Sequence, residues 1–89
     1  MRNGMNSVIK TPWLKPVSVK SIENYSLKVI WEDGTDNIIY IGELIKKREA
    51  FWRLRNPRYF KQVQIDPIGG IYWPQGEDIS PEIIKHYRI

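Results

Sequence analysis

The sequence predicts an α+β fold: a three-stranded antiparallel meander, one or two short helical segments, a β-hairpin and a C-terminal helix. Apolar and polar residues alternate in two separate stretches, which is the period of half-buried strands. An Asp-Gly pair at Asp33-Gly34 supplies the positive φ that tight hairpin turns need. A Ser-Pro pair at Ser80-Pro81 combines a preferred helix cap with the residue preferred at the first helical position.

The length and composition are those of one small globular domain. The chain has 89 residues, of which 42% are hydrophobic and 27% are charged, far from the composition of disordered chains. The first residues are poor helix and strand formers and are interrupted by two prolines. We therefore expect an N-terminal arm over residues 1–16 and a single α+β domain over residues 17–89.

The composition also excludes several classes of site. The chain has no cysteine, which excludes disulfide frameworks, thiolate zinc sites and cysteine nucleophiles. No apolar run has the length of a signal peptide or a membrane span. We expect a cytoplasmic protein that makes no membrane contact.

Three apolar runs predict the meander. Val17 and Val19 begin the first strand, Leu27 to Trp31 form the second, and Ile38 to Ile41 form the third. The Asp33-Gly34 turn can have a loop of two or three residues, and this choice decides which residues of the third strand face the core. Either Ile38 and Tyr40 or Ile39 and Ile41 then share a face with Leu27, Val29 and Trp31.

The middle of the chain predicts helical structure followed by a hairpin. Leu44, Ile45, Phe51 and Trp52 share one helical stripe, although Lys46-Lys47-Arg48 can instead divide it into two short pieces. Asn56-Pro57 has the residues that begin a further helix. Val63 and Ile65 then pair with Ile71 and Trp73 across a turn over residues 66–70.

The C-terminal helix has the strongest local signals. Ser80 is its expected N-cap, Pro81 its first residue, and Glu82 lies beside the positive end of the helix dipole. Ile79 and Ile84 occupy the two positions of a hydrophobic staple. His86, the one histidine of the chain, is expected to be a surface residue near the end of this helix.

The positive charge is concentrated in one stretch, which contains half of the 14 basic residues and one acid, Glu49. These seven residues are the candidates for anion or nucleic-acid binding: Lys46, Lys47, Arg48, Arg53, Arg55, Arg58 and Lys61. Aromatic residues lie between them, as phosphate contacts with base stacking require. Arg55 and Arg58 beside the amides of the Asn56-Pro57 helix suggest an anion site. The alternative interpretation is a solvated basic helix face above a buried aromatic one.

Trp13 is the candidate for contact with a partner protein, because tryptophan is enriched at interfaces. It can equally dock onto its own domain, whereas Trp31 and Trp73 are expected in the core. The acids Glu77, Asp78 and Glu82 have neither an EF-hand spacing nor a nearby histidine. We therefore predict no metal site, no cofactor and no catalytic residue.

Three motifs stand out between residue 17 and the C-terminus: Glu32-Asp33-Gly34, the segment Leu54 to Phe60, and Ile71 to Ile79 with its Trp-Pro-x-Gly-x-Asp-Ile core. With these motifs the chain, from about residue 17 to the C-terminus, resembles a bacterial family catalogued as domain of unknown function 2442. Within this signature Trp73, Pro74, Gly76 and Asp78 are expected to have structural roles, Asp78 as an acceptor for loop amides.

The resemblance implies a small α+β domain without established activity, whose relatives look like partners of another small protein in toxin-antitoxin-like pairs. Some relatives have a helix-turn-helix after the domain, and we expect none here. We therefore predict a non-enzymatic protein-binding module, with an accessory nucleic-acid-binding protein that uses residues 46–61 as the alternative. Short strands leave open sheet edges, through which a homo-oligomer can also form.

Overall fold

A computed structural model describes residues 13–86, and these residues have the predicted α+β fold. The first sheet contains β1 (Pro16–Ile22), β2 (Ser26–Trp31) and β3 (Asp36–Tyr40) in the order β1-β2-β3, all antiparallel. Three helical segments follow: α1 (Gly42–Lys47), a 3-10 helix (Glu49–Arg55) and α2 (Pro57–Phe60). Strands β4 (Gln64–Ile65), β5 (Ile71–Tyr72) and β6 (Asp78–Ile79) form a second sheet, and α3 (Pro81–His86) comes last.

The Trp31–Thr35 pair closes a three-residue loop, Glu32 to Gly34, between β2 and β3, and this length decides the orientation of β3. The Trp31 amide donates to the Thr35 carbonyl at 2.7 Å, and Gly34 has a φ of +87°. This geometry directs Ile39 and Ile41 into the core, while Ile38 and Tyr40 face outward. In β1, a register shift between Pro16 and Ser18 leaves Val17 exposed.

The predicted helical stripe is divided, as the alternative interpretation proposed. Arg48 has extended backbone angles and separates α1 from the 3-10 helix. A kink at Phe51 interrupts the 3-10 segment. The shared stripe was therefore wrong for Trp52: Phe51 is buried, but the tighter helix turns the indole of Trp52 into solvent.

The second sheet extends the predicted hairpin by one strand. β4 pairs with β5 across the turn at residues 66–70, and β5 also pairs with β6. A four-residue turn ends at Gly76, whose amide donates to the Trp73 carbonyl and whose φ is +108°. The signature from Ile71 to Ile79 is therefore a second hairpin that leads into α3.

A single core lies between the sheets and the helical segments. Its members are the buried apolar residues Leu27, Val29, Trp31, Ile39, Ile41, Leu44, Ile45, Phe51, Leu54, Phe60, Ile71, Trp73, Ile79 and Ile84. Leu14 packs against this core, and Lys15 is buried with its Nζ donating to the Pro67 carbonyl at 3.1 Å. Of the predicted arm, residues 1–12 lie outside the described residues, so this boundary stays a prediction.

The entry to α3 confirms the predicted cap. Ser80 Oγ accepts a hydrogen bond from the Ile83 amide at 3.4 Å, which is the N-cap contact to the third helical residue. Ile79 and Ile84, the two predicted staple residues, both lie in the core. The Ser80 cap and the core contacts of Ile79 and Ile84 together determine the angle at which the chain enters α3.

Candidate partner-binding surface

The basic residues from Lys46 to Lys61 are spread over the three helical segments and their junctions, and four of them line different depressions. Arg53 and Arg55 line one groove, and Arg48 and Arg53 line the depression next to it. Lys61 lines a third depression, beside the β1–β2 turn. Lys46 pairs with Glu43 at 3.6 Å on the exposed face of α1. In the folded protein the basic residues from Lys46 to Lys61 therefore form several small, separate groups of cations.

One of these depressions combines basic and aromatic side chains, and we call it the Trp52 groove. Its lining consists of Trp52, Arg53, Arg55, Asn56, Tyr59 and Gln75. The 3-10 helix and the start of α2 form one side, and the turn between β5 and β6 forms the other. Tyr59 joins the two sides, because its Oη accepts a hydrogen bond from the Gln75 amide at 2.8 Å.

Trp52 is the most exposed tryptophan of the described residues, with 58% of its surface accessible. The guanidinium carbon of Arg53 lies 4.9 Å from the centroid of the Trp52 ring. A cation over an indole face is a favourable arrangement that also holds the ring in place. The groove thus presents a large, exposed apolar ring that Arg53 contacts on one face.

A buried carboxylate anchors Arg53 from below. Glu77 has a side chain that is only 2% exposed, and its Oε2 lies 3.0 Å from Arg53 Nη1. Its Oε1 accepts a hydrogen bond from Tyr59 Oη at 2.5 Å. Buried charges need such partners, and here they come from two separate helical segments. Glu77 therefore links Arg53 and Tyr59, two of the residues that line the Trp52 groove.

The protonation of this cluster follows from its contacts. Burial raises the pKa of the Glu77 carboxyl. The hydrogen bonds from Tyr59, from the backbone of Glu77 itself and from Arg53, together with the charge of Arg53, outweigh burial, so the net pKa is lowered. Burial and the hydrogen bond to Glu77 raise the pKa of the Tyr59 hydroxyl. At neutral pH the cluster therefore contains a carboxylate, a guanidinium and a neutral phenol.

The signature residues Trp73, Pro74, Gly76 and Asp78 lie in the turn between β5 and β6 and at the start of β6. Trp73 is buried, and its Nε1 donates to the Phe60 carbonyl at 3.0 Å. Pro74 follows the end of β5, and Gly76 supplies the positive φ of the turn. Asp78 is exposed and lies in β6. The amide-accepting role expected of it is instead seen at Asp66, whose Oδ1 accepts bonds from the Ile68 and Gly70 amides.

The start of α2 confirms the Asn56 cap. Asn56 Oδ1 accepts a hydrogen bond from the Arg58 amide at 2.9 Å, and Pro57 has no amide hydrogen. The cap therefore already occupies the Arg58 amide that an anion at this end would use. Arg55 and Arg58 are both exposed, and neither forms an ion pair among the described residues.

Trp13, the candidate partner contact, is 42% exposed and lies beside the C-terminal helix. Together with Leu14, Ile68 and Pro81 it lines an apolar pocket, with Glu82 and Lys85 at its margin. The side chain therefore covers part of its own domain while a substantial fraction stays accessible. This arrangement accommodates both roles that the sequence suggested for it.

Residues 13–86 contain no group of three or more His, Cys, Asp or Glu side chains able to hold a metal ion. None of its helices has the length and apolar character needed to cross a membrane. His86 is exposed at the end of α3.

Sequence reasoning missed two residues of this surface. It assigned Trp52 to the core, and it considered Glu77 only as part of an acidic group. The Lys46-Lys47-Arg48 run was the available sequence signal for Trp52, because it allows the helix to break at Arg48. A change of helix type there moves residue 52 away from the stripe of Leu44 and Ile45. For Glu77 no local signal exists, since its partner Arg53 is 24 residues away.

Comparison with known proteins gives one match. No curated protein and no solved structure matches the chain significantly. A family model does match, over residues 16–89, and this range includes both sheets, the Trp52 groove and the signature hairpin. The chain therefore belongs to the family described as "Protein of unknown function (DUF2442)".

Proposed function

We propose that this protein is a non-enzymatic module that binds another small protein through the Trp52 groove. The observation that carries the proposal is the exposed indole of Trp52, fixed by Arg53, which in turn is fixed by the buried Glu77. Tryptophan, arginine and tyrosine are the residues that most often dominate binding energy at protein interfaces. A ring that is ordered before binding loses little further entropy on contact.

The charges around the groove indicate the chemistry of the partner. Arg53 is compensated by Glu77, whereas Arg55 at the groove and Arg58 beside it are exposed without ion pairs among the described residues. The surplus charge is therefore positive, and a partner with acidic side chains around an apolar anchor would complement it. Such pairing agrees with a cytoplasmic, toxin-antitoxin-like partnership between two small proteins.

An accessory nucleic-acid-binding role is the second candidate. It is favoured by one specific arrangement: an exposed indole that a base could stack on, with Arg55 in the same groove to contact a phosphate. The distribution of the other cations argues against it. Arg53 is neutralised by Glu77, and Lys61 lines a separate depression, so they do not extend a phosphate track along the groove.

The test is co-expression of the full chain with each small protein that a gene adjacent to its own encodes, followed by calorimetric titration of any complex recovered. Trp52→Ala should weaken binding at least about 30-fold, the effect of removing a residue worth 2 kcal/mol or more. Lys47→Ala is the matched control, an exposed side chain that lines none of the three depressions described above, and should change affinity less than about threefold.

Single-stranded DNA and RNA are titrated in the same way over a range of salt concentrations. Tight binding with an association constant whose logarithm falls linearly with the logarithm of the salt concentration would favour the nucleic-acid role. Failure of Trp52→Ala to weaken a partner complex would exclude the groove as the binding surface.

A further inference from the structure

Strand β3 has an open hydrogen-bonding edge. It lies at the end of the sheet order β1-β2-β3. The Trp31 amide bonds to Thr35 and the Ile41 amide bonds to Tyr25, so the odd-numbered residues of β3 face β2. Asp36, Ile38 and Tyr40 therefore direct their N–H and C=O groups away from the sheet. Within residues 13–86, no backbone bond outside the ladders involves these groups.

The side chains along this edge are apolar and exposed. Ile38 is 62% exposed and Tyr40 is 41% exposed, and both lie on the outer face of the sheet. Ile30 lies on the same face in β2, diagonal to Ile38. A row of unpaired backbone groups beside exposed apolar side chains is a template for pairing with another strand.

The opposite edge of the same sheet has the features that prevent such pairing. Strand β1 begins with Pro16, has a register shift between Pro16 and Ser18, carries Lys20 and contacts β4. Proline, lysine and bulges are the usual means by which edge strands avoid association. Strand β3 has none of these, and its one charged residue, Asp36, lies at the strand's first position.

We propose that β3 pairs antiparallel with β3 of a second copy of this chain, in a two-fold register centred on Ile38. In this register Ile38 lies opposite Ile38, and Asp36 lies opposite Tyr40. Shifting the centre by one residue to either side leaves one of the three open positions opposite a turn or a helix residue. Only the register centred on Ile38 satisfies all three open positions of both strands, with two hydrogen bonds at each pair.

The charges of the strand are compatible with this self-pairing. Asp36 already lies 3.8 Å from Lys28 of its own chain and would lie across from the tyrosine of the second copy. In this register no like charges lie directly opposite each other, an arrangement that would destabilise a strand pair. The two isoleucines at the centre form an apolar contact, with Tyr40 of each copy on either side of it. This inference is independent of the proposed function, because it uses a different surface.

The test is sedimentation velocity of the full chain over a concentration series, combined with amide hydrogen exchange. Wild-type protein should form a dimer, and the amides of Asp36, Ile38 and Tyr40 should become protected as concentration rises. The amides of Asn37 and Ile39, which face β2, should be protected at every concentration. Ile38→Lys places two lysines opposite each other and should weaken the dimer at least about 10-fold.

Two matched variants separate the edge from other surfaces. Val17→Lys alters an exposed valine on the opposite edge, and Ile30→Lys alters the outer face of β2. Both should leave the dimer intact, with circular dichroism as the check that every variant folds. A wild-type chain that stays monomeric up to about 1 mM, or an Ile38→Lys variant that still dimerises fully, would overturn the proposal. Loss of the dimer in Ile30→Lys alone would assign the contact to the sheet face and equally overturn it.

Discussion

Removal of the Glu77 carboxylate should destabilise the protein and loosen the Trp52 groove. The carboxylate accepts hydrogen bonds from Tyr59 Oη at 2.5 Å and from Arg53 Nη1 at 3.0 Å. A hydrogen bond to a charged group contributes about 1.5 to 3 kcal/mol, which we assign to the Tyr59 contact. The Arg53 side chain is 39% exposed, so solvent screening reduces its ion pair to about 1 kcal/mol.

These contributions predict a loss of about 2.5 to 4 kcal/mol in the free energy of unfolding for Glu77→Ala. Glu77→Gln keeps the shape and one acceptor oxygen, so it should lose about half as much. The measurement is urea denaturation at pH 7. Asp78→Asn is the matched control, because this neighbouring carboxylate is exposed and has no side-chain hydrogen bond or ion pair among the described residues. It should stay within about 0.5 kcal/mol of wild type.

The pH dependence provides a sharper test of the same reasoning. The pKa of Glu77 in the folded protein lies below its ordinary value of 4.5. Its stabilising contribution is therefore present above pH 4.5 and is lost as the pH falls through the folded pKa. The difference in unfolding free energy between wild type and Glu77→Gln should shrink across that acid range. A difference that stays constant from pH 7 to pH 3 would refute the assignment of a charged, paired Glu77.

Two further changes test the local signals of the signature hairpin and α3. Ser80→Ala should lower the free energy of unfolding by about 0.5 to 1 kcal/mol, because the Ile83 amide loses its acceptor. An unchanged urea midpoint would contradict the assignment of Ser80 as the N-cap. Gly76→Ala should lower it by about 1 to 2 kcal/mol through the φ of +108° alone, since no atom lies within 4 Å of the added Cβ. Gly76→Asn should lose less, and equal losses for the two variants would contradict the backbone explanation.

Much of the fold follows from local sequence signals because the interactions concerned are themselves local. The Asp33-Gly34 turn, the Asn56 cap and the Ser80 cap each involve residues within four positions of one another. Their geometry is determined by the backbone preferences of those few residues. The α+β class and the family membership both follow from such signals.

Tertiary structure decided the features that bear on function. The three-residue loop of the first hairpin turned Ile38 outward and Ile39 inward. A two-residue loop, which the sequence equally allowed, would have reversed the two. The break at Arg48 exposed Trp52, because packing of the core selected two short helices over one.

The contact between Glu77 and Arg53 beside the Trp52 groove also depends on tertiary structure. Glu77 meets Arg53 across 24 residues of sequence, so neither residue carries a local sign of the other. The amino-acid sequence by itself therefore determined the class, the turns and the helix starts of this protein. The Trp52 groove and the open edge of β3 depend on contacts between distant segments, which form only when the whole core assembles.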